Sequence, residues 1–242
     1  SNYRANEMRL VQCCAVDREL DAFEDQPQHL SGVRRAHSAE RPSFRVLVEA
    51  CQEDVADTQK SNGLANSLAH GFANGTANVP TPVVSGDYVF CSSGYGDGGA
   101  ALLKVARGGR AAQEVYYKRN SEVQNHHGGM ILLDGKIYMG HGHNNGFPLC
   151  LDMATGRDVW RPGRGAGKGS AAIAYADGHL YFRFQNGTMK LVEATPRGYK
   201  EKGSFQIPND RKNSWQHPVV AGGKLYLRAQ NVLHCYDVSG RG

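Results

Sequence analysis

The chain has 242 residues and a formal net charge of +5, and its 30 glycines, about 12% against ~7% in an average protein, suit an all-β fold with many tight turns. The positive charges form no long run, so composition does not indicate nucleic-acid binding. No segment approaches the ~20 consecutive apolar residues that a membrane-spanning helix needs. The six cysteines include no C-x-x-C pair, which argues against a zinc ribbon or a thioredoxin-like site.

Residues 1–75 show no repeat and form an unassigned N-terminal segment. The stretches MRLVQCCAVDRELDAF and SFRVLVEACQEDVADTQ weakly predict helices, and the polar stretch between them predicts loop or disorder. A separate small subdomain, a disordered leader and a truncated or misread coding region all fit this segment. The sequence leaves these three interpretations open.

From residue 76 onward, one design recurs four times: an apolar strand, a two-residue turn and a second strand with an aromatic residue. The copies are TPVVSGDYVF, GGMILLDGKIYMG, AAIAYADGHLYFR and HPVVAGGKLYLR. The predicted turns are Ser85-Gly86, Asp134-Gly135, Asp177-Gly178 and Gly222-Gly223, and the Asp-Gly and Gly-Gly pairs favour the type I′ form. In the first copy, Val89 is predicted to hold the place of the aromatic residue found in the others.

The second turn residues are 49, 43 and 45 positions apart, which falls in the ~40–50 range of propeller blades. The sequence therefore predicts an all-β fold, a partial β-propeller of about four four-stranded blades. The predicted domain spans residues 76–242, with blades at roughly 79–120, 124–163, 169–206 and 214–242.

The second half of the second copy, LCLDMATGRDVW, carries a more specific signal in Asp152, Thr155, Gly156 and Trp160. It resembles the tryptophan-docking motif of the pyrroloquinoline-quinone (PQQ)-like propeller repeat family, which includes quinoprotein dehydrogenases and BamB-like proteins. In that family, the tryptophan packs on the neighbouring blade. Tyr116 and Phe205 lie near the tryptophan position of the first and third copies. Because rings of this family usually have seven or eight blades, the resemblance implies a fragment of a longer propeller, or a ring completed by association of chains.

Histidines cluster around the second copy, in NHHGG and GHGHNNG. If Asp134-Gly135 is the turn, antiparallel register places His126 opposite His143 and His127 opposite Gly142. His141 then lies on the same strand face as His143. We interpret this blade end as backbone-bonded histidines, as a rim that binds a small polar ligand, or as a metal site formed by His126, His141 and His143.

The corresponding blade ends of the later copies are also polar, and the same register places His217 opposite Arg228. Arg183 and Arg228 at equivalent places indicate either a rim that accepts anions or contacts between blades. The full set of rim candidates is His126, His127, His141, His143, Asn144, Asn145, Arg183, Trp215, His217 and Arg228.

Two functions from different classes fit the resemblance. The first is a non-catalytic binding or scaffold module of the bacterial cell envelope or periplasm that needs no cofactor. Its partner would be a protein or a small polar ligand, not nucleic acid, and the chain would not span the membrane. The second is a PQQ-dependent quinoprotein dehydrogenase that uses PQQ and calcium to oxidise alcohols, including polyvinyl alcohol, or sugars. The sequence shows no assignable calcium ligands or catalytic base, which favours the first.

Overall fold

A computed structural model describes residues 79–95, 98–106, 111–163, 167–208 and 212–240. The expectations for the N-terminal segment, residues 1–75, lie outside these ranges. The described residues form strands, turns and loops without an α-helix, which confirms the all-β prediction. Within them, no helix has the length and apolar character required to cross a membrane.

The strands form four antiparallel sheets that follow one another along the chain, and each sheet is a simple meander. The first three sheets have four strands each and the fourth has three in the described ranges. The first two comprise β1 Val83–Ser85, β2 Tyr88–Ser93, β3 Gly99–Val105 and β4 Ala112–Arg119, then β5 Met130–Leu133, β6 Lys136–His141, β7 Phe147–Asp152 and β8 Asp158–Trp160. The last two comprise β9 Ala171–Ala176, β10 His179–Phe184, β11 Thr188–Glu193 and β12 Glu201–Gln206, then β13 Val219–Ala221, β14 Lys224–Ala229 and β15 Val232–Asp237.

The sheets are arranged as consecutive propeller blades. The first strands of neighbouring sheets contact one another, β1 against β5, β5 against β9 and β9 against β13, so these strands are the innermost. Apolar clusters fill the space between neighbouring blades. Ile137 and Met139 of β6 pack toward the first blade, whereas Tyr138 between them packs toward the third. This alternation follows from the two-residue period of a strand and lets each sheet bury both faces.

The turn between the first two strands of the later blades has the predicted geometry, since both residues of Asp134-Gly135, and of the two pairs after it, have positive φ. The prediction for the first blade was wrong by one residue. Ser85 pairs with Tyr88, so the turn is Gly86-Asp87. Only Gly86 of that pair has positive φ, as a type II′ turn with a leading glycine requires.

The corrected register changes the aromatic position in the first blade. Phe90, not Val89, holds the place of Tyr138, Tyr181 and Tyr226, two residues after the first residue of the second strand. The Phe90 side chain is fully buried between the first two blades. All four copies therefore carry an aromatic residue at this place.

The two ends of each blade differ because every sheet is a meander. The turns that join the first to the second strand and the third to the fourth strand lie at one end, which we call the hairpin end. The loops after the second strands and the connectors between blades lie at the opposite end, which we call the loop end. Its described residues are 94–95, 98, 120–129, 142–146, 161–163, 167–170, 185–187, 207–208, 212–218 and 230–231.

Candidate binding site at the loop end

The connector into the second blade places two adjacent histidines against loops of other blades. The His126 ring lies 4.3 Å from the His127 ring and 4.4 Å from the His143 ring, measured between centroids. The Tyr95 ring of the first blade meets His126 edge to face at 4.4 Å. The predicted proximity of His126 and His143 is therefore present, with His127 in the same group.

Hydrogen bonds from three blades hold these histidines, two through ring nitrogens and one through a backbone oxygen. His126 Nδ1 lies 2.5 Å from the Ser170 hydroxyl, which precedes the third blade. The backbone N–H of Tyr95 donates to His143 Nδ1 at 3.1 Å. His217, from the connector into the fourth blade, places its Nε2 at 3.3 Å from the backbone oxygen of His127. The cluster thus joins all four blades at the loop end.

Asn125 and Gly128 fix the backbone of this connector. The Asn125 side chain is fully buried and donates to the carbonyls of Gly129 and Gly140. The Gly128 carbonyl accepts the N–H of Ile173 in the third blade. A Cβ on Gly128 would lie 1.6 Å from the Ala171 oxygen, so this position must be glycine for the blades to approach.

His141 occupies a different environment. Its Nδ1 accepts the backbone N–H of Gln124 at 3.1 Å, which ties the end of β6 to the connector. The ladder between β5 and β6 ends at the pair of Met130 with Met139, so the predicted register does not extend to the histidines. Gly142, predicted opposite His127, instead donates its N–H to the Gln124 carbonyl.

Burial keeps His126, His127 and His141 neutral near pH 7. It lowers the pKa of His126 to about 4, and the neighbouring His127 and His143 lower that pKa further. Burial and then His217 lower the pKa of His127 to about 4. Burial, followed by the Arg161 charge, does the same for His141. A neutral imidazole can accept a hydrogen bond at one ring nitrogen and donate one from the other, whereas protonation of these buried rings is unfavourable.

The donor set of the cluster does not fit a hard cation. Within the ranges that the structure describes, no three histidine, cysteine or carboxylate side chains are placed to hold a metal ion. The groups that meet around His126 offer imidazole nitrogens, hydroxyls and amides, whereas calcium is bound by carboxylate and carbonyl oxygens. Calcium therefore does not match this set of residues.

The two arginines occupy equivalent strand positions but different environments. Arg183 is 1% exposed, and its Nη1 donates to the backbone and side-chain oxygens of Gln216, in the connector of the next blade. Arg228 is exposed, and its Nε donates to the Gln230 carbonyl. The register predicted for His217 and Arg228 is present in β13 and β14, where Val219 pairs with Tyr226. The ladder does not extend to His217, which instead bonds to the His127 carbonyl.

The remaining rim candidates are exposed. Asn144, which has positive φ, and Asn145 form the tip of the loop between β6 and β7. Trp215 is 51% exposed, and its Nε1 donates to Gln185 Oε1 at 2.9 Å. Its ring also meets His127 edge to face at 5.7 Å. The sequence did not indicate Ser170, Gln185 or Gln216 as partners, because they are single polar residues in loops without a motif.

The docking candidates lie at the hairpin end, away from the histidines. Asp152 accepts hydrogen bonds from the backbone N–H and the hydroxyl of Thr155, and it pairs with Lys136 at 2.8 Å. These contacts lower the pKa of Asp152, with the Lys136 hydrogen bond as the largest cause. Trp160 is buried and donates its Nε1 to the Thr195 carbonyl of the third blade at 2.8 Å.

The first blade meets the second in the same way. The Tyr116 hydroxyl donates to the Met153 carbonyl at 2.7 Å, and its ring covers Gly156, where a Cβ would approach it to 2.8 Å. The three described outer strands, β4, β8 and β12, each carry one bulge, next to the pair formed by Tyr116, by Trp160 or by the equivalent residue of the third blade. In the third blade that position is Gly203, and Phe205 lies two residues beyond it, packed at 4.9 Å on Tyr236.

Known proteins support the repeat assignment. Residues 53–162 match the family model described as outer membrane protein assembly factor BamB, a PQQ-like repeat family. Residues 53–162 therefore carry PQQ-like propeller repeats. No curated protein matches the chain significantly.

Solved structures that resemble the chain include BamB from Moraxella catarrhalis, with 12% identity, a TM-score of 0.47, and coverage of 65% of this chain and 42% of that chain. The designed protein Ika8 has 10% identity and a TM-score of 0.48, with coverage of 65% and 45%. A europium-containing methanol dehydrogenase has 15% identity and a TM-score of 0.39, with coverage of 54% and 25%. The chain thus spans less than half the length of these three structures.

Proposed function

We propose that this chain is a non-catalytic binding or scaffold module of the bacterial cell envelope that works without a cofactor. This proposal rests on one observation, that the polar side chains at the loop end form hydrogen bonds between blades. His126 bonds to Ser170, His143 to Tyr95, His217 to His127 and Arg183 to Gln216, each across a boundary between blades. These groups build a rigid surface, and rigid loops on a propeller are suited to recognition.

The family description supports a protein as the partner. The matching family is described as an outer membrane protein assembly factor, which supports the proposal that this chain acts in the periplasm or cell envelope with a protein bound to its repeats. A small polar ligand at the loop end, and association of chains to complete a ring, are the alternative forms of binding. The exposed Trp215 favours a protein partner, because large aromatic residues are enriched at protein interfaces.

The competing proposal is the PQQ-dependent dehydrogenase. Because the buried histidines are neutral and the described cluster has no carboxylates to hold calcium, we expect neither quinone binding nor alcohol oxidation. The test is a titration of the full chain with PQQ and calcium, followed by absorbance, together with a dye-linked assay on alcohols and sugars. Oxidation that stops when the calcium is chelated refutes the non-catalytic proposal.

Binding is tested by site-specific photo-cross-linking in cells. A photoreactive phenylalanine analogue, which keeps an aromatic ring at the position, replaces Trp215 at the loop end or, as the control, Tyr175 at the hairpin end, where 44% of the side chain is exposed. We expect a discrete adduct with one envelope protein, identified by mass spectrometry, from position 215 and none from position 175. Equal adduct patterns from both positions contradict a binding role for the loop end.

A further inference from the structure

Trp215 is unusual because it is both exposed and held in place. Half of its side chain is open to solvent, yet its Nε1 is bonded to Gln185 and its ring rests edge-on against His127. The N–H of Ser214 also donates to the Gln185 carbonyl, so backbone and side chain are both anchored on the third blade. An aromatic ring that is already fixed loses little conformational entropy on binding, which is the property of a binding anchor.

A lysine on the third blade is linked to this anchor. Lys168 and Asn186 are joined by two hydrogen bonds, from the Lys168 N–H to Asn186 Oδ1 and from the Asn186 N–H to the Lys168 carbonyl. Asn186 directly follows Gln185, the residue that holds Trp215. The Lys168 side chain is exposed and has no ion pair within the described part of the chain.

Two cations approach from the fourth blade. The Arg228 Nε donates to the Gln230 carbonyl, and the Gln230 amide donates to the carbonyl of Asn213, two residues before Trp215. Lys212 directly precedes Asn213. The side chains of Arg228 and Lys212 are exposed, and neither forms an ion pair with another described residue. The residues that hold or precede the tryptophan are therefore linked to one exposed cation of the third blade and two of the fourth.

At the hairpin end, by contrast, three lysines of the second, third and fourth blades are paired with acids. Lys136 pairs with Asp152 at 2.8 Å, Lys202 with Glu193 at 3.2 Å, and Lys224 with Asp237 at 3.9 Å. These three lysines are compensated by acids of their own blades, whereas Lys168, Lys212 and Arg228 at the loop end form no ion pair with another described residue. A surface with one sign of charge favours partners of the opposite sign.

We infer that the loop end of the third and fourth blades binds an acidic protein segment, with an apolar side chain of that segment on Trp215 and its carboxylates on Lys168, Lys212 and Arg228. This inference rests on the proposed binding function and names the chemistry of its partner. A protein segment fits better than single-stranded nucleic acid, because nucleic-acid surfaces stack successive bases on several aromatic residues, and Trp215 is a single anchor.

The test uses the full chain and a fluorescent nine-residue peptide with four glutamates on either side of one phenylalanine, measured by anisotropy. We expect a dissociation constant on the order of 10⁻⁵ M at low salt that rises several-fold at high salt. The Lys168→Glu/Arg228→Glu double variant and the Trp215→Ala variant should each weaken binding at least tenfold. Lys200→Glu, an exposed lysine at the hairpin end, should leave it unchanged.

Three comparisons can overturn the inference. Equal affinity for the peptide with lysines in place of glutamates removes the charge argument, and equal affinity with glycine in place of phenylalanine removes the anchor. The chain could also bind an oligothymidylate or phosphatidylglycerol vesicles more tightly than the peptide and lose that binding in the same variants. This result would assign the surface to nucleic acid or to a membrane instead of an acidic protein segment. If position 215 cross-links to an envelope protein but the acidic peptide does not bind, the binding function stands and the acidic partner is wrong.

Discussion

Replacement of Trp160 should separate the contribution of one contact between blades from that of the rest of the fold. The Trp160 side chain is 8% exposed, lies within 6 Å of the Tyr138 and Tyr199 rings, and donates a buried hydrogen bond to Thr195. Burial of about 200 Å² of aromatic surface at about 25 cal/mol per Å² contributes about 5 kcal/mol. Trp160→Ala should therefore lower the free energy of unfolding by about 3–5 kcal/mol.

A second substitution separates packing from hydrogen bonding. Trp160→Phe keeps most of the ring contacts but leaves the buried Thr195 carbonyl without its donor, which should cost about 1–2 kcal/mol. Trp215→Ala is the matched control, because its side chain is half exposed and should cost less than about 1 kcal/mol. Since these are the two tryptophans of the chain, the assay is urea unfolding followed by far-ultraviolet circular dichroism.

The urea dependence gives an additional readout. Repeats that are held together mainly by the interfaces with their neighbours unfold together because of those interfaces. Loss of the Trp160 contact should thus also lower the slope of the unfolding transition, as the second and third blades separate. A Trp160→Ala variant as stable as Trp215→Ala would refute the assignment of Trp160 as a major contact between blades.

Three more predictions follow from the contacts described above. The three histidines with a pKa near 4 bind protons more readily in the unfolded chain, where their pKa is about 6.5. The free energy of unfolding should therefore fall by up to a few kcal/mol in total as the pH drops from about 6.5 to 4. A melting temperature that is constant over this pH range contradicts the burial of neutral rings. Gly128→Ala should unfold the chain or lower its free energy of unfolding by more than about 3 kcal/mol, because the new Cβ meets a backbone oxygen. Gly178→Ala, in an open turn with positive φ, should lower it by about 1 kcal/mol, and chemical unfolding of both variants measures the difference. Tyr116→Phe should cost about 1 kcal/mol through the lost bond to Met153, and an unchanged urea midpoint would show that this hydroxyl makes no net contribution.

The hairpins could be predicted because the turn residues and the flanking strands, which are adjacent in sequence, determine their geometry. Asp134-Gly135 and Gly222-Gly223 lie between strands of alternating pattern, and their backbone angles follow from residue type. The first copy shows the limit of this approach, since both Ser85-Gly86 and Gly86-Asp87 are acceptable turns. Burial of Phe90 between the blades selects the second register, and that burial is a property of the packed fold.

The candidate site was predictable in its place but not in its contacts. Extrapolated register brought His126 and His143 together correctly, although the ladder ends before reaching them. The burial of Arg183 depends on Gln216, which lies 33 positions away in the next blade. Such contacts form only when neighbouring blades pack, so they cannot be predicted from a single sequence without a structural template.

The aromatic contact between blades affects how the repeats can be exchanged. Trp160 is carried by the outer strand of the second blade but fits the turn at Thr195 in the third, and Tyr116 relates the first blade to the second in the same way. The outer strand of one blade and the first three strands of the next are therefore the parts that must match. A transplanted or duplicated repeat should therefore begin at the outer strand of one blade and end after the third strand of the next. A repeat cut in the connector between sheets would lose the aromatic contact to its neighbour.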